Sequence, residues 1–271
     1  MNKFNSQLIL ENPSLNQIGI FTLQDAQREL AWPDITLLAA LSRLTRSGKL
    51  IRIKRSLYCM RPIGVAMKDG FPPYNWFLIA KKILEDKLHY FSHYSAMHLH
   101  GMTGESIQTI FVSLQNQVHL PPTLKIPVRY VIAGKRAFWG LEQKWITNEE
   151  KINVSDLERT ILDALDRLDL SGGIMEAARG IALVHKKINT SRLIEYSRKF
   201  HSVAAVKRLG FLMESLSIDS PEAIRALLRI TSQYPSYALL DPTLDKKGSY
   251  LHRWRLIINF DVENLKQNLM T

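Results

Sequence analysis

Apolar and polar positions over residues 22–60 follow helical spacing twice and then strand spacing, which predicts two helices and a hairpin. Thr22 precedes an apolar-periodic segment and Asp25 stands three residues later, so a first helix begins there and ends near Ala31. Pro33 suits the first turn of a second helix, because proline lacks only an N–H that would have no helical partner there. The pattern therefore places two consecutive helices ahead of the hairpin.

The second helix is predicted to have one buried and one polar side. The predicted buried stripe consists of Ile35, Leu38, Leu41 and Leu44. The predicted polar side consists of Thr36, Ala40, Arg43 and Ser47, with Arg46 at its edge. Small and cationic groups on one side of a helix suit the major groove of duplex DNA.

The hairpin follows directly after Ser47 and Gly48, which end the second helix. Residues 50–53 and 57–60 alternate as two short strands around a Lys54-Arg55-Ser56 tip. The order of helix, helix and hairpin is typical of a winged helix-turn-helix. We therefore predict a winged-helix DNA-binding domain over residues 1–69.

The remaining two-thirds of the chain mixes helical and strand patterns. A Pro/Gly/aromatic stretch at residues 70–74 marks the boundary, and a larger domain is predicted over residues 75–271. Helices are predicted at 75–88, 90–101 and 156–168 and then up to about residue 230, the one at 156 opened by a capping box of Ser155 and Glu158. Strands are predicted at 109–114, 128–132, 144–147 and 253–260. Segregated elements of this kind indicate an α+β fold.

Charge sharpens the prediction for the N-terminal domain. The chain carries a formal net charge of +11, but no acidic residue occurs between Asp34 and Asp69. That segment holds Arg43, Arg46, Lys49, Arg52, Lys54, Arg55, Arg61 and Lys68. A solvated protein surface normally mixes both signs, because like charges three or four residues apart repel. An uncompensated run on a winged helix indicates a phosphate-binding surface.

Two sets of residues are candidate nucleic-acid contacts. The predicted DNA-binding residues are Thr36, Arg43, Arg46, Arg52, Lys54 and Arg55. A hypothetical second basic surface consists of Arg192, Arg198, Lys199, Lys207 and Arg208. Its ordinary alternative is that the aliphatic stems pack on the protein and the charged heads lie in water.

Several segments together give the chain a resemblance to a known family. These are the wing, SAMHLHGMT at 95–103, SDLERTILD at 155–163, GGI at 172–174 and RLGFLME at 208–214. In this order they resemble the AbiEi family, the antitoxins of the AbiE type IV toxin–antitoxin systems of bacteria. The resemblance implies a phage-defence repressor whose winged helix binds double-stranded DNA at its own promoter. It also implies that the larger domain counters a nucleotidyltransferase toxin, without requiring a stable complex.

Enzyme functions find little support in the sequence. His89, His93, His98 and His100 lie close together, but no neighbouring carboxylate completes a known zinc spacing, so packed histidines are the expectation. The acidic residues at 156–169 are expected to cap helices and to form ion pairs, among them an i,i+4 pair of Arg159 with Asp163. We therefore predict no enzyme, no catalytic residues, no metal and no cofactor.

The sequence also bears on compartment and on alternative functions. A single cysteine, Cys59, and no run of about eighteen apolar residues favour a cytoplasmic protein without a membrane span. Two alternatives to an antitoxin stay open. One is a winged-helix regulator whose C-terminal domain senses a ligand or a protein, and the other is a DNA nuclease.

Overall fold

The chain divides into two compact units. The structure, a computed structural model, describes residues 4–61, 75–85, 87–118, 127–218 and 220–262. The first unit comprises residues 1–87 with 117–128, and the second comprises 88–116 with 129–271. The boundary predicted at residues 70–74 lies outside the described residues.

The first unit contains five helices and three strands in its described part. In chain order these are α1 (Gln7–Glu11), α2 (Pro13–Ile18), β1 (Ile20–Thr22), α3 (Leu23–Leu30), α4 (Asp34–Arg46), β2 (Leu50–Lys54), β3 (Leu57–Met60) and α5 (Trp76–Ile83). The predicted capping box at α3 is confirmed, because the Thr22 hydroxyl accepts from the Asp25 N–H and the Asp25 carboxylate accepts from the Thr22 N–H. Both predicted helices and both wing strands are present.

The wing belongs to a three-stranded antiparallel sheet with the order β1-β3-β2. Strand β1, which the sequence pattern did not predict, pairs Ile20 with Cys59. The register of β2 against β3 shifts between Arg52 and Lys54, as at a β-bulge. A core of buried residues from α1, α3, α4 and the sheet closes under these strands.

The second unit is a mixed α+β domain. Its first part contains β4 (His89–Phe91), α6 (His93–Leu99), β5 (Ile110–Leu114), β6 (Val128–Ile132), β7 (Leu141–Trp145) and β8 (Lys151–Ser155). Its second part contains α7 (Leu157–Asp166), α8 (Gly173–Val184), α9 (Thr190–Lys199), α10 (Val203–Ser215), α11 (Pro221–Ser232), β9 (Ala238–Leu239), β10 (Ser249–Leu251) and β11 (Leu256–Ile258). The predicted α+β fold class is confirmed.

The described residues of the second unit form two sheets. A five-stranded sheet has the order β6-β5-β4-β8-β7, in which β4 pairs antiparallel with β5 and parallel with β8. A small sheet has the order β10-β11-β9. The helices α7 to α11 pack around a large apolar core in which the ring of Trp254 lies against Gly210. Trp254 also donates its indole N–H to Glu214 Oε2 at 2.6 Å.

Three local predictions were wrong in detail. The stretch 90–101 is the end of a strand and then a short helix, because Tyr90 and Phe91 pair with β5. Helix α5 ends at Ile83, well before residue 88. The strand predicted at 144–147 starts at Leu141 and pairs with β8, a strand that the pattern did not predict.

The predicted capping box at α7 was also wrong. Asp156 is the N-cap, and its Oδ1 accepts from the Arg159 N–H at 2.9 Å. Glu158 accepts from the Asn189 N–H at 2.7 Å instead of closing a box. The Ser155 hydroxyl bonds to that of Thr160 at 2.8 Å. Glu158 therefore connects α7 to the start of α9.

In the part of the chain that the structure describes, every helix is too short or too polar to cross a bilayer.

Candidate nucleic-acid interface and a polar cleft

The orientation of α4 differs from the sequence prediction. The residues that α4 buries are Leu37, Ala40, Leu41 and Leu44. Ile35 is 85% exposed and Leu38 is 45% exposed, so their prediction as core residues was wrong, as was that of Ala40 as a surface residue. Helical spacing allowed two apolar stripes about 100° apart, and packing against the sheet selected the one centred on Leu37 and Leu41.

The outward face of α4 is therefore centred on Ile35, Ala39, Ser42 and Arg46. These four residues are exposed and fall within about 60° of the helical circle. Arg43 is also exposed and lies on one flank, while Thr36 is half-buried farther round. Of the predicted DNA contacts on α4, Arg43 and Arg46 are exposed to solvent and Thr36 is half-buried.

The wing presents two of its three predicted contact residues to solvent. Arg52 and Arg55 are exposed, and Ser56 at the tip adopts a left-handed φ of 63°. Lys54 is half-buried, and its ammonium donates to the carbonyl of Ile83 at 2.8 Å. Because that carbonyl ends α5, Lys54 neutralises the negative end of a helix and is less available to a ligand.

The exposed arginines of the winged helix have no acidic partner in the part of the chain that the structure describes. Among the described residues, no carboxylate lies within ion-pairing distance of Arg43, Arg46, Arg52 or Arg55. Arg46 approaches the Ser42 hydroxyl at 3.4 Å. A surface of unpaired guanidinium groups attracts phosphate without first breaking internal ion pairs.

The hypothetical second basic surface is smaller than predicted. Lys207 is 2% exposed, and Arg208 is 4% exposed. The Lys207 ammonium donates to the carbonyls of Tyr234 and Ser236, and the Arg208 guanidinium donates to the carbonyl of Leu165 at 2.7 Å. Both residues therefore hold backbone groups inside the second unit, and their assignment to a surface was wrong.

The other three members of that set do lie at the surface, on α9. Arg192 approaches Glu158 Oε2 at 3.3 Å, and Lys199 approaches Glu195 Oε1 at 3.1 Å. Arg198 is exposed. Partial neutralisation makes this a weaker anion surface than the winged helix.

The four histidines do not form one cluster. His89 lies on β4 and His93 begins α6, so the two do not share a helix face. His93 is buried, and burial lowers its pKa below the usual 6.5. His100 donates its Nε2–H to the carbonyl of Ser155 at 2.7 Å, and burial lowers the pKa of His100 as well. Among the described residues, no three His, Cys, Asp or Glu side chains are arranged to hold a metal ion.

A polar cleft of about 570 Å³ opens in the second unit. Its lining includes Tyr90, His93, Arg159 and Asp163, with Arg136 and Lys199 also contributing cationic groups. Burial raises the pKa of Tyr90 to about 12, so its hydroxyl stays protonated. His93 adopts a left-handed φ of 51°, a strained conformation for a residue with a side chain.

The buried ion pair of Arg159 and Asp163 forms part of this cleft. Arg159 Nε donates to Asp163 Oδ1 at 2.8 Å, and its guanidinium lies 4.2 Å from the centre of the Trp139 ring. Within the described residues, the second carboxylate oxygen of Asp163 has no hydrogen-bond partner although it is buried. The i,i+4 pair itself was predicted, but its burial and the cleft were not, because Tyr90 and Asp163 are far apart in sequence.

Comparisons with known proteins agree with the winged helix. Residues 14–61, from α2 to just beyond β3, match a family described as a transcriptional regulator, AbiEi antitoxin. The predicted resemblance to that family is thereby confirmed over this segment. The fold is similar to the crystal structure of the RV2827C protein from Mycobacterium tuberculosis, with a TM-score of 0.71 and 15% identity, over 98% of this chain and 94% of that one. No curated protein matches the sequence.

Proposed function

We propose that this protein, whose residues 14–61 match the AbiEi antitoxin regulators, binds the promoter DNA of its own gene and represses transcription. The observation that carries the proposal is a set of exposed arginines on α4 and the wing that have no acidic partner among the described residues: Arg43, Arg46, Arg52 and Arg55. A regulator with this surface needs no catalytic group, and the matched description names a regulator and not an enzyme.

The two parts of the surface have different tasks in this proposal. Helix α4 is the second helix of the helix-turn-helix, the one that enters the major groove in such proteins. The wing lies beside it and places Arg52 and Arg55 where they contact phosphate oxygens. Arg43 and Arg46 on α4 add further phosphate contacts, which set affinity and register, and the other exposed groups of the helix read the bases.

The antitoxin role extends the proposal to the second unit. The support is the family description of residues 14–61, which names an antitoxin, and the resemblance of later segments to the same family. We infer that the second unit counters a nucleotidyltransferase toxin encoded beside this gene. Co-expression of the full chain with the neighbouring open reading frame tests this, since growth must be restored by the chain and not by an empty vector.

The DNA-binding proposal is tested with a duplex fragment from upstream of the gene. Wild-type protein is expected to shift this fragment at lower concentrations than a coding-region fragment of equal length. An equal affinity for both fragments contradicts promoter recognition. The same samples, incubated with Mg²⁺ and run under denaturing conditions, test the nuclease alternative, since intact strands are expected.

The polar cleft favours a second candidate function, the sensing of a small ligand by the second unit. Asp163 offers an unused buried acceptor, and Arg136 and Lys199 offer cations at the same cleft. A sensor predicts that the low-molecular-weight fraction of a cell extract changes promoter affinity. The change must disappear in a Lys199→Ala variant, and an affinity unaffected by the fraction argues for the antitoxin function alone.

A further inference from the structure

We propose that α4 reads thymine methyl groups in the major groove through Ile35 and Leu38, which makes the operator rich in A·T pairs at those positions. This inference rests on the proposed DNA binding and deepens it. It concerns sequence specificity, whereas the arginines of the winged helix account for attraction to any duplex.

The orientation of α4 is fixed by its buried side. Leu37, Leu41 and Leu44 are almost completely buried, so the helix cannot rotate to hide Ile35. Ile35 is 85% exposed in the first turn, and Leu38 is 45% exposed one turn later. Apart from Asp34, whose carboxylate accepts from the Gln27 side-chain amide, the N-terminal half of the exposed side is therefore apolar.

Polar and apolar groups separate along the helix. Ile35, Leu38 and Ala39 occupy the first two turns of the exposed side, and Ser42, Arg43 and Arg46 follow them. In helix-turn-helix proteins the N-terminal residues of the recognition helix contact base edges. Here that end offers none of the amide or guanidinium groups that pair with adenine or guanine.

The thymine C5-methyl group is the apolar feature of the major groove. Ile35 and Leu38 bury their exposed surface against such methyl groups without leaving a hydrogen-bonding edge of their own unpaired. A single exposed apolar residue needs no explanation in a soluble protein. Two exposed apolar residues at the N-terminal end of a recognition helix, followed by two arginines with no acidic partner among the described residues, match a groove that carries thymine methyl groups.

A second copy of the chain is the competing occupant of this face. Two copies joined by a twofold axis would place the same patch against itself. Arg43 and Arg46 would then approach their own counterparts, and no described carboxylate on α4 beyond Asp34 is available to compensate them. Duplex DNA satisfies both the apolar end and the cationic end of the helix.

The experiment compares two versions of one promoter fragment. The fragment upstream of the gene is amplified once with dTTP and ordinary primers and once with dUTP and primers that carry uracil, which removes every thymine methyl and leaves the pairing edges unchanged. Wild-type protein is expected to bind the uracil fragment more weakly, by about fourfold for each methyl group that it contacts. The ratio of the two affinities measures methyl readout.

Variants connect that ratio to the two side chains. In the double variant Ile35→Ala, Leu38→Ala, the ratio is expected to fall close to one. The matched control is Leu8→Ala, since Leu8 is an exposed leucine on α1 with 39% exposure, and it must keep the wild-type ratio. Circular dichroism confirms that both proteins are folded.

The outcomes separate this inference from the proposed function. If wild-type protein binds both fragments equally, methyl readout is wrong and DNA binding stands. If the double variant keeps the wild-type ratio, other residues read the methyl groups and the assignment to Ile35 and Leu38 is wrong. If wild-type protein binds neither fragment, the proposed DNA binding fails and this inference fails with it.

Discussion

Replacing Arg43 and Arg46 together by alanine should reduce the salt dependence of DNA binding by a definite amount. Of the six residues predicted to contact DNA, Thr36 is uncharged and Lys54 is engaged with the carbonyl of Ile83. Four exposed arginines are left. At a slope of about −0.9 per phosphate contact, log affinity should fall against log salt with a slope of about −3.6 for the wild type and about −1.8 for the double variant.

The two slopes are easy to distinguish. Between about 50 mM and about 200 mM KCl, the wild type should lose about 150-fold in affinity and the double variant about 12-fold. Fluorescence anisotropy on a labelled promoter duplex measures both. The variant should keep the wild-type melting temperature, because Arg43 and Arg46 are exposed and form no part of the core.

A matched control comes from α9, where Arg192 and Arg198 are exposed on the second unit. The double variant Arg192→Ala, Arg198→Ala loses the same charge and should keep the wild-type slope. If this control lowers the slope as much as the α4 variant does, DNA also contacts the second unit. If the α4 variant keeps the wild-type slope, the assignment of Arg43 and Arg46 as phosphate contacts is refuted.

Three further predictions concern stability. Gly210→Ala places a Cβ 2.1 Å from the buried ring of Trp254, so it should destabilise the second unit by about 1–3 kcal/mol or more, measured by urea unfolding. Lys54→Met removes a charged hydrogen bond to the end of α5 and should cost about 1–3 kcal/mol, with a lower melting temperature as the readout. Because burial holds the pKa values of folded His93 and His100 below 6.5, the unfolded chain takes up protons first on acidification. Stability should fall below pH 6.5, by up to about 1.4 kcal/mol per pH unit for each histidine, and an unfolding midpoint that stays constant from pH 7 to about 5.5 contradicts this.

Local signals in the sequence were enough for the winged helix. The cap at Thr22 and Asp25, the glycine after α4 and the alternating strands act over a few residues each, so they could be read without knowing the tertiary fold. The acid-free run was equally local. Arg43, Arg46, Arg52 and Arg55 of that run are exposed as predicted, whereas the half-burial of Lys54 depends on the distant carbonyl of Ile83.

Local signals in the sequence could not predict which side of α4 is buried. Ile35 with Leu38 and Leu37 with Leu41 are both apolar pairs at helical spacing, and only packing against the sheet decides which pair is buried. The burial of Lys207 and Arg208 depends likewise on carbonyls more than twenty residues away. The polar cleft needs Tyr90 from β4 and Asp163 from α7, which no sequence pattern connects.

Strand pairing caused the remaining errors. Tyr90 and Phe91 have apolar neighbours at helical spacing. In the structure their backbone groups nevertheless pair with β5, and Phe91 also pairs with β8, so both residues belong to the sheet. Strand β8 is short and lies directly before the residues that predict helix α7, so the sequence pattern did not distinguish it as a strand. Non-local hydrogen bonds therefore overrode local preference in both places.

β2 is an edge strand of its sheet, and edge strands affect how a protein behaves in concentrated solution. An edge strand carries backbone N–H and C=O groups that can pair with a strand of another molecule. In β2 the charged Arg52 and the bulge before Lys54 oppose such addition. Replacing Arg52 by a neutral residue should therefore make aggregation easier. A loss of DNA binding in such a variant can be interpreted only if the protein is shown to be monodisperse.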